Sequence, residues 1–358
     1  MNPASKTNAL TVLLAVCGLV AAVTFVQQHN RSLKTDNMEI WYEHYGYVVE
    51  RVSKSVVALE VELGRAGSNV IEQNCGSGFI IDPAGYIVTN EHVIQHSKRI
   101  RVILLDKRQY VAVVVATDPF ADLAVLKIEA DDLTALSFGP MDMLTPGQIV
   151  IAMGNPLGTA ADGRAVASFG HINRLNQNLR SALDRETSRT YHNLIQTSAV
   201  TLPGNSGGPL VNTMGQAIGI VAAVAGLKHQ FGFAITLDSG TIAKIEKLKQ
   251  GRTIAYPCLG VNLASMVDRD TQERLGLKEL SGALVAYVFP QLPARRAGIR
   301  PGDLIRAVNN RRIHSPNELI ERINQCQPNE VIQIELLRGA VGGSRLLTIP
   351  VELTAQKY

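Results

Sequence analysis

Between Val48 and about Ile242 the chain repeats one pattern: a short run rich in Val and Ile, a turn signal, then another such run. Ser55–Glu62, Gly78–Ile81, Tyr86–Thr89, Ile100–Leu104, Val111–Ala116, Leu123–Ile128 and Ile149–Met153 fit it, and Ala217–Val221 and Phe231–Ile235 continue it. β-Branched side chains suit a pleated, half-buried surface, and Asp82-Pro83-Ala84-Gly85 offers a tight turn between two of the runs. No long helical pattern alternates with them. The parallel α/β architectures are therefore set aside, and antiparallel barrels remain. One short helix is expected over Thr241–Gln250, with lysines late in it and Gly251 to end it. The fold class read from this pattern is mainly β.

Arg252–Pro257 reads as a linker, and a smaller unit of about a hundred residues follows it. Strands are expected near Leu259–Leu263, Gly282–Val288, Asp303–Val308, Val331–Arg338 and Ser344–Leu353. A helix over Pro316–Asn324 begins after Ser315, and Glu318 three residues on completes a capping box.

The N-terminus is of another kind. No lysine, arginine or acid lies between Lys6 and Arg31, and Ala9 to Val26 is apolar but for two threonines and a glycine. Such a helix reaches about 27 Å at 1.5 Å per residue, close to the roughly 30 Å hydrocarbon core. The segment is a transmembrane helix or a signal peptide; Val20-Ala21-Ala22 lies inside the apolar run, where a cleavage site does not belong. We therefore expect a tail over 1–8, an anchor over 9–26 and a polar stalk over 27–46, then the first domain over 47–251 and the second over 256–355. Lys6 on one side and Arg31 and Lys34 on the other leave the orientation open on charge alone. Trp41, Tyr42, Tyr45 and Tyr47 cluster where the stalk meets the first domain, rings that suit either a core or a subunit contact.

A net charge of +4 with no Lys/Arg block does not point to nucleic acid. The four cysteines, Cys17, Cys75, Cys258 and Cys326, lack zinc-site spacing and make no disulfide framework.

The chemistry concentrates in Thr201-Leu202-Pro203-Gly204-Asn205-Ser206-Gly207-Gly208-Pro209-Leu210. A serine between glycines, with an apolar run behind it, suits a nucleophile exposed on a tight turn. The N–H groups of Gly204 and Ser206 can point together at an oxygen that turns negative during acyl transfer. Such a serine needs a base, and the base needs a carboxylate. His92, in Thr89-Asn90-Glu91-His92-Val93-Ile94, directly follows a strand. Asp122 opens another, in Asp118-Pro119-Phe120-Ala121-Asp122-Leu123-Ala124-Val125-Leu126-Lys127, where Asp118 is a second candidate. His92 and His96 stand four apart, but the glutamate precedes His92, so the H-E-x-x-H zinc order is absent.

These motifs, in this order and at comparable spacing, resemble the HtrA/Deg family of serine proteases from about Tyr47 to the C-terminus. The resemblance implies a chymotrypsin-like double β-barrel protease domain followed by a C-terminal PDZ domain, assembled as homotrimers through the aromatic N-terminal segment. Carried over by residue, it makes His92 the general base, Asp122 its orienting carboxylate and Ser206 the nucleophile, with Gly204, Asn205 and Ser206 as the oxyanion loop. It implies no metal and no cofactor. Val200, six residues before the nucleophile, would floor the substrate pocket, with Ile220, Val221 and Ala222 as an apolar wall. One PDZ domain, an N-terminal anchor and a short segment between Glu62 and Cys75 look like the DegS-like branch. That branch implies an inner-membrane anchor, a protease facing the periplasm, and a membrane-bound anti-sigma factor as substrate. Its regulators would be C-terminal peptides of misfolded outer-membrane proteins, docking at Leu259-Gly260-Val261. The loop from His171 to Asn193 would sense them, with Arg189 as the relaying arginine among Arg174, Arg180, Arg185 and Arg189. A general quality-control protease and a silent PDZ scaffold are the alternative readings.

The sequence departs from the family in places. Ile195-Gln196-Thr197-Ser198-Ala199 carries Ser198 where the family has aspartate, Val221 replaces an asparagine, and Cys258 stands where an aromatic is usual. Cys75, with Val93 at its partner position, is expected as a free buried thiol.

Overall fold

The computed structural model describes residues 43–64, 71–155, 165–182, 188–222, 231–264, 281–340 and 343–357. The anchor and stalk expectations over 9–42 lie outside the described residues. Among those described, no helix is long and apolar enough to cross a membrane. The chain divides into two compact units, 1–249 and 250–358.

The first unit holds two closed six-stranded barrels. The strands of barrel 1 are β1 (Val56–Gly64), β2 (Ile71–Asp82), β3 (Tyr86–Thr89), β4 (Ser97–Ile103), β5 (Gln109–Asp118) and β6 (Leu123–Lys127). They close in the order β1-β2-β3-β6-β5-β4, each pair antiparallel. Closure leaves no open sheet edge, and Leu59, Ile80, Ile87, Val102 and Leu126 fill the interior. The expected turn at Asp82 is present: Gly85 N–H donates to Asp82 O at 2.9 Å and Ala84 N–H to the Asp82 carboxylate at 2.8 Å.

Barrel 2 comprises β7 (Ile149–Gly154), β8 (Val166–Ala182), β9 (Ser188–Thr197), β10 (Pro209–Asn212), β11 (Ala217–Ala222) and β12 (Gly232–Thr236). Their order is β10-β11-β12-β9-β8-β7. The segment between the barrels bonds to both: Leu136 N–H donates to Ile80 O and Ala217 N–H to Ser137 O, each at 2.8 Å.

The region expected as a loop from His171 to Asn193 is instead a long antiparallel ribbon of β8 and β9, paired from Ile172↔Thr197 to Ala182↔Ser188. Its residues are mostly polar, so no Val/Ile run marks it, and three register shifts interrupt its pairing. Cross-strand hydrogen bonds carry a ribbon that its composition conceals.

Two helices brace this unit. α1 (43–53) starts inside the expected stalk and buries Val48 and Val52. His44 Nε2 lies 2.9 Å from Thr213 O, and Tyr45 meets Phe169 edge-on at 5.3 Å. The helix expected over Thr241–Gln250 runs over Ser239–Lys249 (α2). It starts earlier because the Asp238 carboxylate accepts from Thr241 N–H at 2.7 Å, an N-terminal cap that the lysine pattern did not reveal. Lys249 at its far end pairs with Asp82 of barrel 1, and this bond holds the Asp82 carboxyl below its ordinary range.

The second unit contains a sheet ordered β14 (Val261–Leu263), β15 (Ala283–Val288), β16 (Leu304–Val308), β18 (Val331–Ala340), β19 (Gly343–Glu352), with β17 (Arg311–Arg312) paired to β16. β13 (Ala255–Cys258) pairs separately with β20 (Thr354–Lys357). The helix over Pro316–Asn324 (α3) forms as expected and buries Leu319 and Ile323, one turn apart. Its cap differs in one detail. Ser315 Oγ accepts from Glu318 N–H at 3.2 Å, but the Glu318 carboxylate reaches back to the N–H of His314 at 2.7 Å, one residue before the cap.

Asp303 is the charged group of this unit that burial makes costly, at 1% exposure. Arg338 grips it with both Nε (2.8 Å) and Nη2 (2.7 Å), and Arg300 N–H adds a bond at 2.8 Å. The carboxylate holds the Arg338 guanidinium above its ordinary pKa. Arg338→Met would leave a buried carboxylate without its cation, which costs about 3 kcal/mol or more. Hydrogen exchange of the β16 and β18 amides in the full chain should speed up accordingly, and unchanged protection would contradict this role.

Candidate functional site

β3 ends at Thr89, and a one-turn helix (Glu91–Ile94) follows it, carrying His92. β6 begins at Leu123, and Asp122 just before it takes a left-handed backbone (φ 57), a conformation aspartate tolerates better than most residues. The Asn90 side chain holds that bend, donating to Asp122 O at 3.0 Å. Asp122 is fully buried. Its Oδ2 lies 2.8 Å from His92 Nδ1 and accepts from Tyr191 O–H at 2.8 Å, while its Oδ1 accepts from His92 N–H at 3.0 Å. A carboxylate at Nδ1 places the ring proton there and leaves Nε2 able to accept one.

Asp118, the other candidate acid, faces elsewhere. Its Oδ1 accepts from Ala121 N–H at 3.1 Å and so shapes the turn that leads to Asp122. His96 falls beyond the short helix at φ 59. Among the described residues no group of three His, Cys, Asp or Glu side chains could hold a metal ion.

Ser206 lies on the turn before β10. Leu202 to Asn205 form a β-turn closed by Asn205 N–H to Leu202 O at 2.9 Å, with Pro203 second and Gly204 third at φ 99. Proline there followed by a positive-φ glycine is the chemistry of a type II turn. Gly207 comes next at φ 86, where a Cβ would lie 2.1 Å from Ser77 O and 2.2 Å from Thr89 Oγ1. No side chain fits. The bare backbone lets the Ser206 turn press against the Thr89–Asn90 segment that leads into His92.

Ser77, in the Gly76-Ser77-Gly78 stretch of β2, joins the parts. Its N–H donates to Ser206 O at 2.8 Å and its Oγ to Gly204 O at 2.6 Å. The same Oγ accepts from Asn155 N–H at 2.7 Å, and Ser77 O accepts from Thr89 Oγ1 at 2.7 Å. A strand of barrel 1 thus holds the Ser206 turn of barrel 2 by side chain and main chain together. Asn205, which closes this turn, is itself buried, and its Oδ1 has no hydrogen-bond partner.

Val200, expected as the floor of a substrate pocket, and Ile220, Val221 and Ala222, expected as its wall, lie on different segments. Val200 is 56% exposed, and its N–H donates to Ser168 Oγ at 2.8 Å. Ile220, Val221 and Ala222 are buried on β11. Val221 packs in the barrel core with Ala199, and strand alternation turns Ile220 and Ala222 to the opposite face. β12 approaches the Val200 segment closely: a Cβ at Gly232 would lie 2.6 Å from Thr201 Cγ2. Ser198, the departure noted above, keeps an acceptor in place, its Oγ receiving His171 N–H at 2.9 Å.

In the second unit Leu259 is core, Gly260 has φ 82 and Val261 opens β14. Leu259 O and Gly260 O accept from Ala294 and Phe289 N–H groups. Burial raises the Cys258 thiol pKa, and a bond from the Gly260 backbone opposes this. The Arg189 backbone belongs to β9 opposite Ser181, and its side chain lies outside the described residues. Cys75 is a free thiol but only half-buried, on β2 opposite Glu60. Burial and the Glu60 charge raise its pKa, in that order.

Sequence reasoning missed Ser77 and Tyr191. A Gly-Ser-Gly stretch inside a Val/Ile-patterned strand was a signal for the first. Tyr191 lay in the supposed loop, and nothing in the sequence pairs it with a residue 69 positions earlier.

Residues 76–220 match the family model of the trypsin-like peptidase domain, and residues 257–353 match that of the PDZ domain. The putative serine protease HhoA of Synechocystis is 37% identical over 290 residues, 78% of this chain and 70% of that one. A probable periplasmic serine endoprotease, DegP-like, from Marinomonas is 36% identical over 280 residues, 77% of this chain and 56% of the relative. The chain spans about half the length of the DegP-like relatives it matches. Among solved structures, the HtrA-type protease AlgW with a decapeptide aligns at TM-score 0.70 and 28% identity, over 87% of this chain and 98% of that one. With barrels, site geometry and relatives in agreement, the chain belongs to the HtrA family of serine proteases, with a PDZ domain over residues 257–353.

Proposed function

We propose that the chain is a peptide-regulated serine endoprotease of the bacterial periplasm, in which Ser206 attacks the scissile carbonyl and His92 takes its proton. Asp122 orients the imidazole, and the Gly204 and Ser206 N–H groups stabilise the oxyanion. The single observation that carries this reading is the His92–Asp122 pair at 2.8 Å, with the Ser206 turn packed against the segment that leads into it. The type II turn at Pro203-Gly204 supports the oxyanion role, because it fixes the orientation of the peptide that carries the Gly204 N–H.

The DegP-like relatives named as periplasmic support the compartment. The AlgW structures with a decapeptide and a tripeptide support a peptide ligand. From the sequence, residues 9–26 anchor the chain in the inner membrane, and the finer reading is a DegS-like enzyme making the first cut in a membrane-bound anti-sigma factor. In this reading C-terminal peptides of misfolded outer-membrane proteins dock at Leu259-Gly260-Val261, and Arg189 relays the signal. Copies associate as a homotrimer, for which exposed Tyr47 and Phe169 offer aromatic surface.

Chain recovered from the membrane pellet after alkaline carbonate washing should take a fluorophosphonate label on Ser206. Apolar C-terminal peptides should raise the labelling rate saturably, and amidation of their C-termini should weaken the effect. A ligand shifts an equilibrium only by its differential affinity for the two states. Ser206→Ala and His92→Ala should abolish the label. A label on another serine, or one undiminished in His92→Ala, would contradict the assignment.

The substrate pocket is proposed between the Val200–Leu202 segment and β11, with Ile220 and Ala222, which share one face of that strand, as its apolar side. An unpaired cation is costly to bury there. A peptide-library profile should favour Val, Ala or similar residues before the cut bond, and dominance of Arg or Lys would rule this pocket out.

A further inference from the structure

We infer that Tyr191 is a positioning residue for the reaction, acting on His92 through Asp122; the inference deepens the proteolytic reading and rests on it. Tyr191 belongs to β9 of barrel 2, whereas Asp122 and His92 belong to barrel 1. Its hydroxyl donates at 2.8 Å to Asp122 Oδ2, the same oxygen that holds His92 Nδ1 at 2.8 Å.

The arrangement is costly to leave unpaired. Tyr191 is 4% exposed and Asp122 fully buried. A buried tyrosine hydroxyl needs a partner, and a buried carboxylate is tolerated when several donors serve it. Asp122 receives His92 N–H on Oδ1, and His92 Nδ1 and the Tyr191 hydroxyl on Oδ2. The two bonds from His92 alone form a closed local ring within barrel 1. The tyrosine bond adds the reference to barrel 2, so the carboxylate, and with it the imidazole, is set relative to the barrel that carries Ser206.

The position of Tyr191 gives the contact a second consequence. It pairs across the ribbon with Leu179, beside the register shift at Gln177/Leu179. Ribbon pairing at this point therefore determines where the hydroxyl lies. A change of register in the part of the ribbon beyond Gln177 would withdraw the donor from Asp122, whereas the pairs at Ile172 and Arg174 lie nearer the barrel core. The ribbon is thereby linked to the triad carboxylate by one named side chain, in addition to any relay through its arginines.

Tyr191→Phe removes the hydroxyl and keeps the ring that fills the site. In the full chain, kcat on a peptide substrate should fall about tenfold, since hydrogen bonds to charged groups are among the stronger ones. KM should stay within about twofold, because no substrate contact is removed. The low-field proton resonance of His92 Nδ1–H should shift, because Oδ2 then serves one donor instead of two. A merely structural tyrosine would leave that resonance in place while lowering the folded fraction. An unmoved resonance, or an unchanged kcat in the folded variant, overturns the inference. The resonance is read with or without turnover, so the two readings fail separately. A shift in the variant of a chain whose Ser206 takes no label overturns the proteolytic reading and leaves the Tyr191–Asp122–His92 linkage standing.

Discussion

The four hydrogen bonds at Ser77 are the constraint on which the rest of the site depends. Two barrels can each bury their own core and still present their loops at many relative positions. Ser77 removes that freedom, because one residue of β2 bonds to Gly204 O, Ser206 O, Asn155 N–H and the Thr89 hydroxyl at distances of 2.6 to 2.8 Å. Three of these partners flank the proposed chemistry: the oxyanion turn, the nucleophile, and the strand that ends at the histidine. Each bond is buried, so breaking one leaves groups unpaired at about 1–3 kcal/mol apiece. The geometry of a reactive turn is thus held by groups that have nowhere else to go.

Glycine does the complementary work. Gly207 lets the turn lie against Ser77 and Thr89, where any Cβ would collide. Attraction at Ser77 and the absence of bulk at Gly207 act on the same interface. Tyr191 adds a third tie, from barrel 2 back to Asp122. Asp122 and the Gly204–Ser206 turn are both tied across the barrel interface, by different residues.

Much of this was legible in the sequence where the signal is local. Val/Ile runs located nine strands of the first unit, because burial on a pleated face selects those side chains directly. The residue 89–94 and 122–127 motifs placed His92 and Asp122 at strand ends. Ser315 announced the helix that follows it. Three features stayed hidden for one physical reason: their energy comes from pairing with other segments, which local apolar patterning does not mark. The β8–β9 ribbon is polar and held by pairing. α1 rests on Thr213 and Phe169, more than 120 residues away. Ser77 and Tyr191 act through Gly204 and Asp122, 127 and 69 positions away. The departure at Ser198 was visible but not its consequence: the hydroxyl still accepts from His171 N–H.

The account stands or falls on whether the Ser77 joint holds the oxyanion turn in its productive shape. Ser77→Ala removes one hydroxyl, adds no bulk, and leaves both barrel cores intact. A peptide boronic acid reports on the turn directly, since its tetrahedral adduct places an oxygen where the Gly204 and Ser206 N–H groups are proposed to converge. The account predicts that the variant binds such an inhibitor about tenfold more weakly, while KM for the matching substrate peptide is nearly unchanged. Equal boronate affinity in the folded variant and the unmutated chain would contradict it.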